Sequence, residues 1–172
     1  MTARTLQGKV CVVSGAGAGI RQAVLDRIID TGGVAVPAGD FDATSEAGWI
    51  ELFAGVGREF GRLDGLVNVA AVGPADDTFP AYCTSKGAVL ALTEEVAIQC
   101  ARRGDAIRCN AILPATIRTS MTVDVVDDPA WASPIGRVGE PEEVAALAAF
   151  LCSEDAVSLN GTGHAIDGGF LA

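Results

Sequence analysis

The chain of 172 residues contains one histidine, His164, and one tyrosine, Tyr82, and aromatic side chains make up only 5% of it. Chemistry that needs an imidazole or a phenol therefore has a single candidate of each. One histidine and scattered cysteines do not make the ligand clusters that hold zinc, so no metal site is expected. Basic residues are also few: 12 Lys and Arg face 22 Asp and Glu, a formal charge of −10. Such a chain offers no counterion release to a phosphate backbone, which argues against nucleic-acid binding. Apolar runs are broken every few residues by Gly, Asp, Arg or Glu, too soon to span a bilayer. The opening MTARTLQGKV has no long apolar stretch and reads as no signal peptide. The five cysteines (Cys11, Cys83, Cys100, Cys109 and Cys152) are odd in number and include no CxxC pair. Lying in apolar runs, they are expected as buried free thiols in a reducing, cytoplasmic setting.

What is there suits one globular domain over residues 1–172, since 49% of the chain is apolar and 20% charged. Short β-rich runs alternate with helical stretches. Val10 to Val13 is an unbroken apolar run, the mark of a strand buried on both faces. Ile20, Val24 and Ile28 form a helical stripe that Gly32-Gly33 stops. Val34 to Val36 predicts a second strand. Thr44 or Ser45 caps the next helix, whose apolar face is Trp49, Leu52, Phe53, Val56 and Phe60. A third strand follows at Leu66 to Ala70, then a polar loop and a long helix from about Tyr82 to Arg102. Ala106 to Leu113 predicts a fourth strand, Pro141 opens another helix, and Gly163 to Ile166 a fifth strand. This alternation implies a parallel sheet covered by helices on both faces.

Two motifs carry chemistry. The first strand runs into Ser14-Gly15-Ala16-Gly17-Ala18-Gly19-Ile20. Glycines at a strand-to-helix turn admit a pyrophosphate close to the backbone, and the helix start faces it with free N–H groups. Tyr82 and Lys86, four apart, share one helix face. An ammonium beside a phenol favours phenolate and makes Tyr a usable acid or base. The same spacing also suits a boundary tyrosine and a solvated lysine.

Together these segments resemble the short-chain dehydrogenase/reductase family. SGAGAGI is similar to its glycine turn, and DATSEAGW to the segment whose Asp meets the adenine, here Asp42. FGRLDGLVNVAA resembles the approach to its NNAG motif, and YCTSKGAV its YxxxK helix. RCNAILPATIRTSM, from Arg108 through Pro114, resembles its PGxxxT segment. PIGRVGEPEEVAALAAFLCSEDA and GTGHAIDGG resemble its C-terminal part. The resemblance implies NAD or NADP as cofactor and a small carbonyl or secondary alcohol as substrate. Tyr82 is then the proton donor or acceptor. Lys86 lowers the Tyr82 pKa and holds the nicotinamide ribose. Asn68 and Ala70 line the adenosine through their backbone. Ile117 and Thr119 meet the carboxamide and pyrophosphate.

Several departures from the family stand out. The chain is much shorter than a usual member, and the loss is internal. The pieces that bring the family's second strand, its catalytic Ser and an active-site Asn have no counterpart. Arg21 stands where the last glycine of the turn is usual, Val69 and Ala71 alter NNAG, and Ala115 replaces the Gly of PG. Thr78, Asp76, Asp77 and Ser85 lie near the gap left by the Ser, though spacing selects none of them. Without its second and fifth strands, the family's sheet closes up into the flavodoxin-like order 2-1-3-4-5. All crossovers can then stay right-handed. The closure brings Asp40 and Asp42 beside the glycine turn, where either can take the ribose hydroxyls. A carboxylate there repels a 2′-phosphate, which favours NAD over NADP. They also suit an ordinary solvated turn.

The expectation is an NAD(P)-dependent oxidoreductase impaired by the missing Ser. The alternative is a shortened, non-catalytic nucleotide-binding or structural module. Flavin binding, suggested only by the strand order, ranks last. His164 is expected as a structural residue, with Asp167 serving a turn. A homodimer through the long helix (Val89, Leu92, Val96) is a further expectation.

Overall fold

The computed structural model describes residues 5–15, 18–39, 44–69 and 80–172. Its regular elements are β1 (Val10–Gly15), α1 (Ala18–Asp30), β2 (Val34–Pro37), α2 (Glu46–Phe60), β3 (Gly65–Val69), α3 (Pro80–Arg103), β4 (Arg108–Pro114), α4 (Pro141–Cys152) and β5 (Gly163–Ile166), with two short 3-10 turns at Pro129–Trp131 and Glu154–Ala156. All strand pairs are parallel and the sheet order is β2-β1-β3-β4-β5. That is the order expected from closing two gaps in a longer sheet.

The period-2 alternation of a strand explains the two cores. Cys11 and Val13 point to one face, where Val67, Ile112, Val24 and Ile28 of α1, and Val144 and Ala148 of α4 meet them. Val10 and Val12 point to the other face, against Leu66, Cys109, Val56 of α2 and Ala97 of α3. With apolar residues needed on both faces, the strand has no room for polar alternation, hence the unbroken run of valines around Cys11.

Local signals set the element ends. The Ser45 hydroxyl oxygen accepts the Gly48 N–H at 3.2 Å, so Ser45, not Thr44, caps α2. Such a cap contributes about 1 kcal/mol. α3 ends at Gly104, whose φ of +76° turns the chain out of the helix. Residues 105–107 complete that turn, so β4 begins at Arg108 and not at Ala106. Cys11, Cys109 and Cys152 are buried, whereas Cys83 and Cys100, expected to be buried, are only half covered. Both sit on α3, a helix packed along one side only. Val96 of α3 belongs to the core and is not spare surface. Among the described residues, no helix is long and apolar enough to cross a membrane.

Candidate functional site

In an open parallel sheet, a ligand site forms beyond the strand ends where the order changes direction. Here the chain steps from β1 outward to β2 and then back across to β3, so that point lies between β1 and β3. Gly15 and Val69 are register partners at the ends of these two strands. Gly15 has φ +74°, and a Cβ built on it would lie 2.2 Å from the Val69 carbonyl oxygen. Only glycine lets the strands come this close and turn as they do. Gly15 is exposed, so its backbone faces whatever sits in the crevice.

The other candidate residues gather at the same edge. A Cβ on Gly19, in the first turn of α1, would lie 3.0 Å from the Thr119 methyl. The glycine turn and the loop after β4 are therefore in contact. That first turn carries no acidic side chain to compete with a bound anion. Ile20 packs on the α1–α4 core. Pro114 ends β4 in register with Ile166 of β5. The Thr119 N–H donates to the Thr122 hydroxyl oxygen at 3.0 Å, and that hydroxyl donates to the Ile117 carbonyl at 2.6 Å, holding the loop in shape. Ile117 differs from expectation in one respect: its side chain is buried. Any ligand contact at 117 falls to the backbone N–H. Gly17, Asp40, Asp42 and Ala70 lie outside the described residues, as do Asp76, Asp77 and Thr78. The segment leading to Asp40 is held beside β1, where the Ala38 N–H donates to the Val13 carbonyl at 2.9 Å.

Asn68 has a structural part beside the backbone role expected of it. It is 0% exposed. Its Oδ1 accepts the Ser14 hydroxyl. Its Nδ2 donates to the Thr93 hydroxyl at 2.8 Å and lies 3.7 Å from the Cys109 sulfur. One amide thus joins β1, β3, β4 and α3 just below the crevice. Thr93 was not singled out in the sequence. A Thr in mid-helix whose hydroxyl bonds back to the Val89 carbonyl at 2.8 Å gives no periodic signal of its own.

Tyr82 lies in the first turn of α3, 42% exposed. Helices after parallel strands start on the side where those strands end, which puts Tyr82 and Lys86 on that side of the sheet. Counting back from Thr93, Tyr82 is about 16 Å further along the helix axis. The Lys86 ammonium lies 5.2 Å from the centre of the Tyr82 ring, over its face and not beside the phenol oxygen. Consequently Lys86 does not lower the Tyr82 pKa in this arrangement. Partial burial pushes it above the ordinary value, with Cys83 adding to the rise. The Ser85 hydroxyl donates to the Tyr82 carbonyl at 2.7 Å, which occupies it within the helix.

Other polar groups are accounted for structurally. His164 pairs with the Thr162 hydroxyl at 2.7 Å, and burial lowers its pKa. Asp167 accepts the Gly169 and Leu171 N–H groups of the last turn. Asp127, largely exposed, meets Arg118 at 3.4 Å. Arg137 grips Glu143 through two contacts of 2.7 Å, which hold that carboxyl down at about 2. This pair borders a small cavity of about 70 Å³ beside Thr116, Ser133 and Asp167. That is well below the roughly 300–1,000 Å³ of small-ligand pockets.

The exposed Gly15 backbone at the strand ends and a helix start free of acidic groups fit a dinucleotide. Comparison with known proteins points the same way. Residues 75–171 match the family profile described as enoyl-(acyl carrier protein) reductase. Meso-2,3-butanediol dehydrogenase of Serratia marcescens is 39% identical over 113 residues, covering 62% of this chain and 44% of that one. This chain spans about half the length, or less, of several curated relatives it matches. An NADP-dependent (R)-specific alcohol dehydrogenase of Lentilactobacillus kefiri is 24% identical over 247 residues, covering 97% of this chain and 98% of that one. Because this chain has only 172 residues, the missing positions fall inside that alignment. The fold is shared with 3-ketoacyl-(acyl-carrier-protein) reductase of Brucella melitensis, solved with NADH, at TM-score 0.78 and 22% identity over 96% of this chain and 99% of that one.

Proposed function

The chain belongs to the short-chain dehydrogenase/reductase family, and from that membership we propose that it binds a nicotinamide dinucleotide at the β1–α1 turn and reduces a small carbonyl compound, or oxidises the matching secondary alcohol, at a low rate. The observation that carries this reading is the exposed Gly15 backbone at the β1–β3 switch point, ahead of an α1 first turn with no acidic side chain.

When bound, the nicotinamide supplies or accepts the hydride. The chain's own part is to place the substrate and move a proton. Tyr82 carries the phenol proton that is given to a carbonyl oxygen. Lys86 sits one turn on and holds the nicotinamide ribose once it swings off the Tyr82 ring. Thr119 meets the pyrophosphate, and the Ile117 N–H meets the carboxamide. Asp40 or Asp42 takes the ribose hydroxyls, giving NAD preference over NADP. The family's Ser has no counterpart, and losing one such hydrogen-bond donor costs roughly 10²–10³ in rate in other systems. Weak turnover follows. The protein works in a reducing cytoplasm, and as a homodimer if α3 pairs with a second copy.

The test compares Tyr82→Phe with the unaltered chain, using NADH and a panel of small ketones. Removing the proton donor is expected to lower kcat at least about 10²-fold while leaving NADH affinity within a factor of two. Equal turnover in the two proteins would remove Tyr82 from the reaction. Binding of NADH with no turnover on any ketone would favour the non-catalytic module.

A further inference from the structure

Two of the five cysteines meet each other far from the crevice. Cys11 lies near the start of β1 and Cys152 is the last residue of α4. Both are buried in the same core. Both sulfurs lie over Gly65, where a Cβ would sit 3.5 Å from the Cys152 sulfur and 3.9 Å from that of Cys11. Cys109 faces the opposite core, and Cys83 and Cys100 lie on α3.

The surroundings differ for the two sulfurs. The Arg108 guanidinium donates to the Leu151 carbonyl at 2.5 Å and the Ser153 carbonyl at 2.8 Å, gripping the chain on either side of Cys152. Lys9 lies close by, paired with Glu154 at 2.5 Å. The Cys11 S–H and these two cations draw Cys152 toward thiolate, against the effect of its burial. The neighbouring Cys152 and burial push Cys11 the other way. The guanidinium beside Cys152 marks that sulfur as the nucleophile and Cys11, across Gly65, as its resolving partner. Nothing in the proposed reaction uses either.

We propose that Cys11 and Cys152 form a reversible dithiol–disulfide couple, oxidised by a peroxide, that staples β1 to the end of α4. In the first step the Cys152 sulfur attacks one peroxide oxygen. An S–O bond forms, the O–O bond breaks, and the leaving oxygen departs as water after taking a proton. In the second step the Cys11 sulfur attacks the Cys152 sulfenic acid. The S–S bond forms and the S–O bond breaks, releasing a second water that carries the Cys11 proton. Two electrons pass from the thiols to the peroxide. A dithiol reductant reverses the change by exchange.

The full chain, freed of reductant and treated with hydrogen peroxide, tests this. Thiols titrated in denaturant are expected to fall by two, and peptide mapping to find Cys11 joined to Cys152. The Tm is expected to rise by several degrees and to return on adding dithiothreitol, since a cross-link between distant residues restricts the unfolded chain. Cys83→Ser/Cys100→Ser, which leaves both cores untouched, should behave the same. The couple is overturned if all five thiols survive, if the bridge maps to Cys83 or Cys100, or if Cys152 is carried to sulfinic acid without a cross-link.

Discussion

Gly15→Ala is expected to destabilise the protein by at least about 3 kcal/mol, as a left-handed penalty of about 1–2 kcal/mol and a backbone clash act together. The clash is with the Val69 carbonyl oxygen, 2.2 Å from the new Cβ, in a strand that cannot yield without breaking its register with β1. At about 2–4 °C per kcal/mol for a chain of this size, Tm falls by roughly 10 °C. Gly104→Ala is the control. Gly104 has nearly the same φ, +76°, but nothing within 4 Å of its would-be Cβ. It should cost only the conformational part, about 1–2 kcal/mol. Thermal unfolding of both variants separates the two causes. Equal losses in the two would mean that the close approach of β1 to β3 has no energetic consequence.

Asn68→Ala is expected to cost about 2–4 kcal/mol. It removes the Ser14 and Thr93 hydrogen bonds and leaves a small hole at the centre of the sheet. The Ser14 hydroxyl, itself buried, loses its acceptor. Thr93 suffers less, because its own proton still goes to the Val89 carbonyl. The loss should therefore be coupled mainly to Ser14. Adding Ser14→Ala to Asn68→Ala should cost almost nothing further, whereas Ser14→Ala alone should cost about 1 kcal/mol or more. Denaturant unfolding of the cycle gives the answer. Strict additivity would show that the two side chains act independently and that the amide is not a hub.

Much of this architecture can be read from residues, and the reason is periodicity. The valine run of β1 buries both faces of its strand, and the stripe Val24–Ile28 and the apolar face from Trp49 to Phe60 each bury one recognisable face of a helix. The strand order follows from which segments are missing relative to the family, because a βα unit removed whole leaves alternation and handedness intact. The site is less legible. The glycine turn was readable because φ and close approach both demand glycine there. The rest depends on tertiary placement. Asn68 reads as a strand residue with a backbone role, yet its side chain meets Ser14, Thr93 and Cys109, residues remote in sequence. Tyr82 and Lys86 share a helix face as their spacing requires. Spacing does not fix side-chain torsions, however, and the ammonium lies over the ring and not beside the oxygen. Cys11 and Cys152 are nearly the whole chain apart, and no pattern joins them.

The proposed function requires that the shortened sheet still offer its glycine turn to a dinucleotide. Titration of the unaltered chain and of Gly15→Ala with NADH, followed by nicotinamide fluorescence, tests this most directly. Saturable one-to-one binding by the unaltered chain, weakened at least about tenfold in the variant at a temperature where both are folded, is the expected result. Absence of saturable binding to the folded, unaltered chain, or equal affinity in the two proteins, would contradict it.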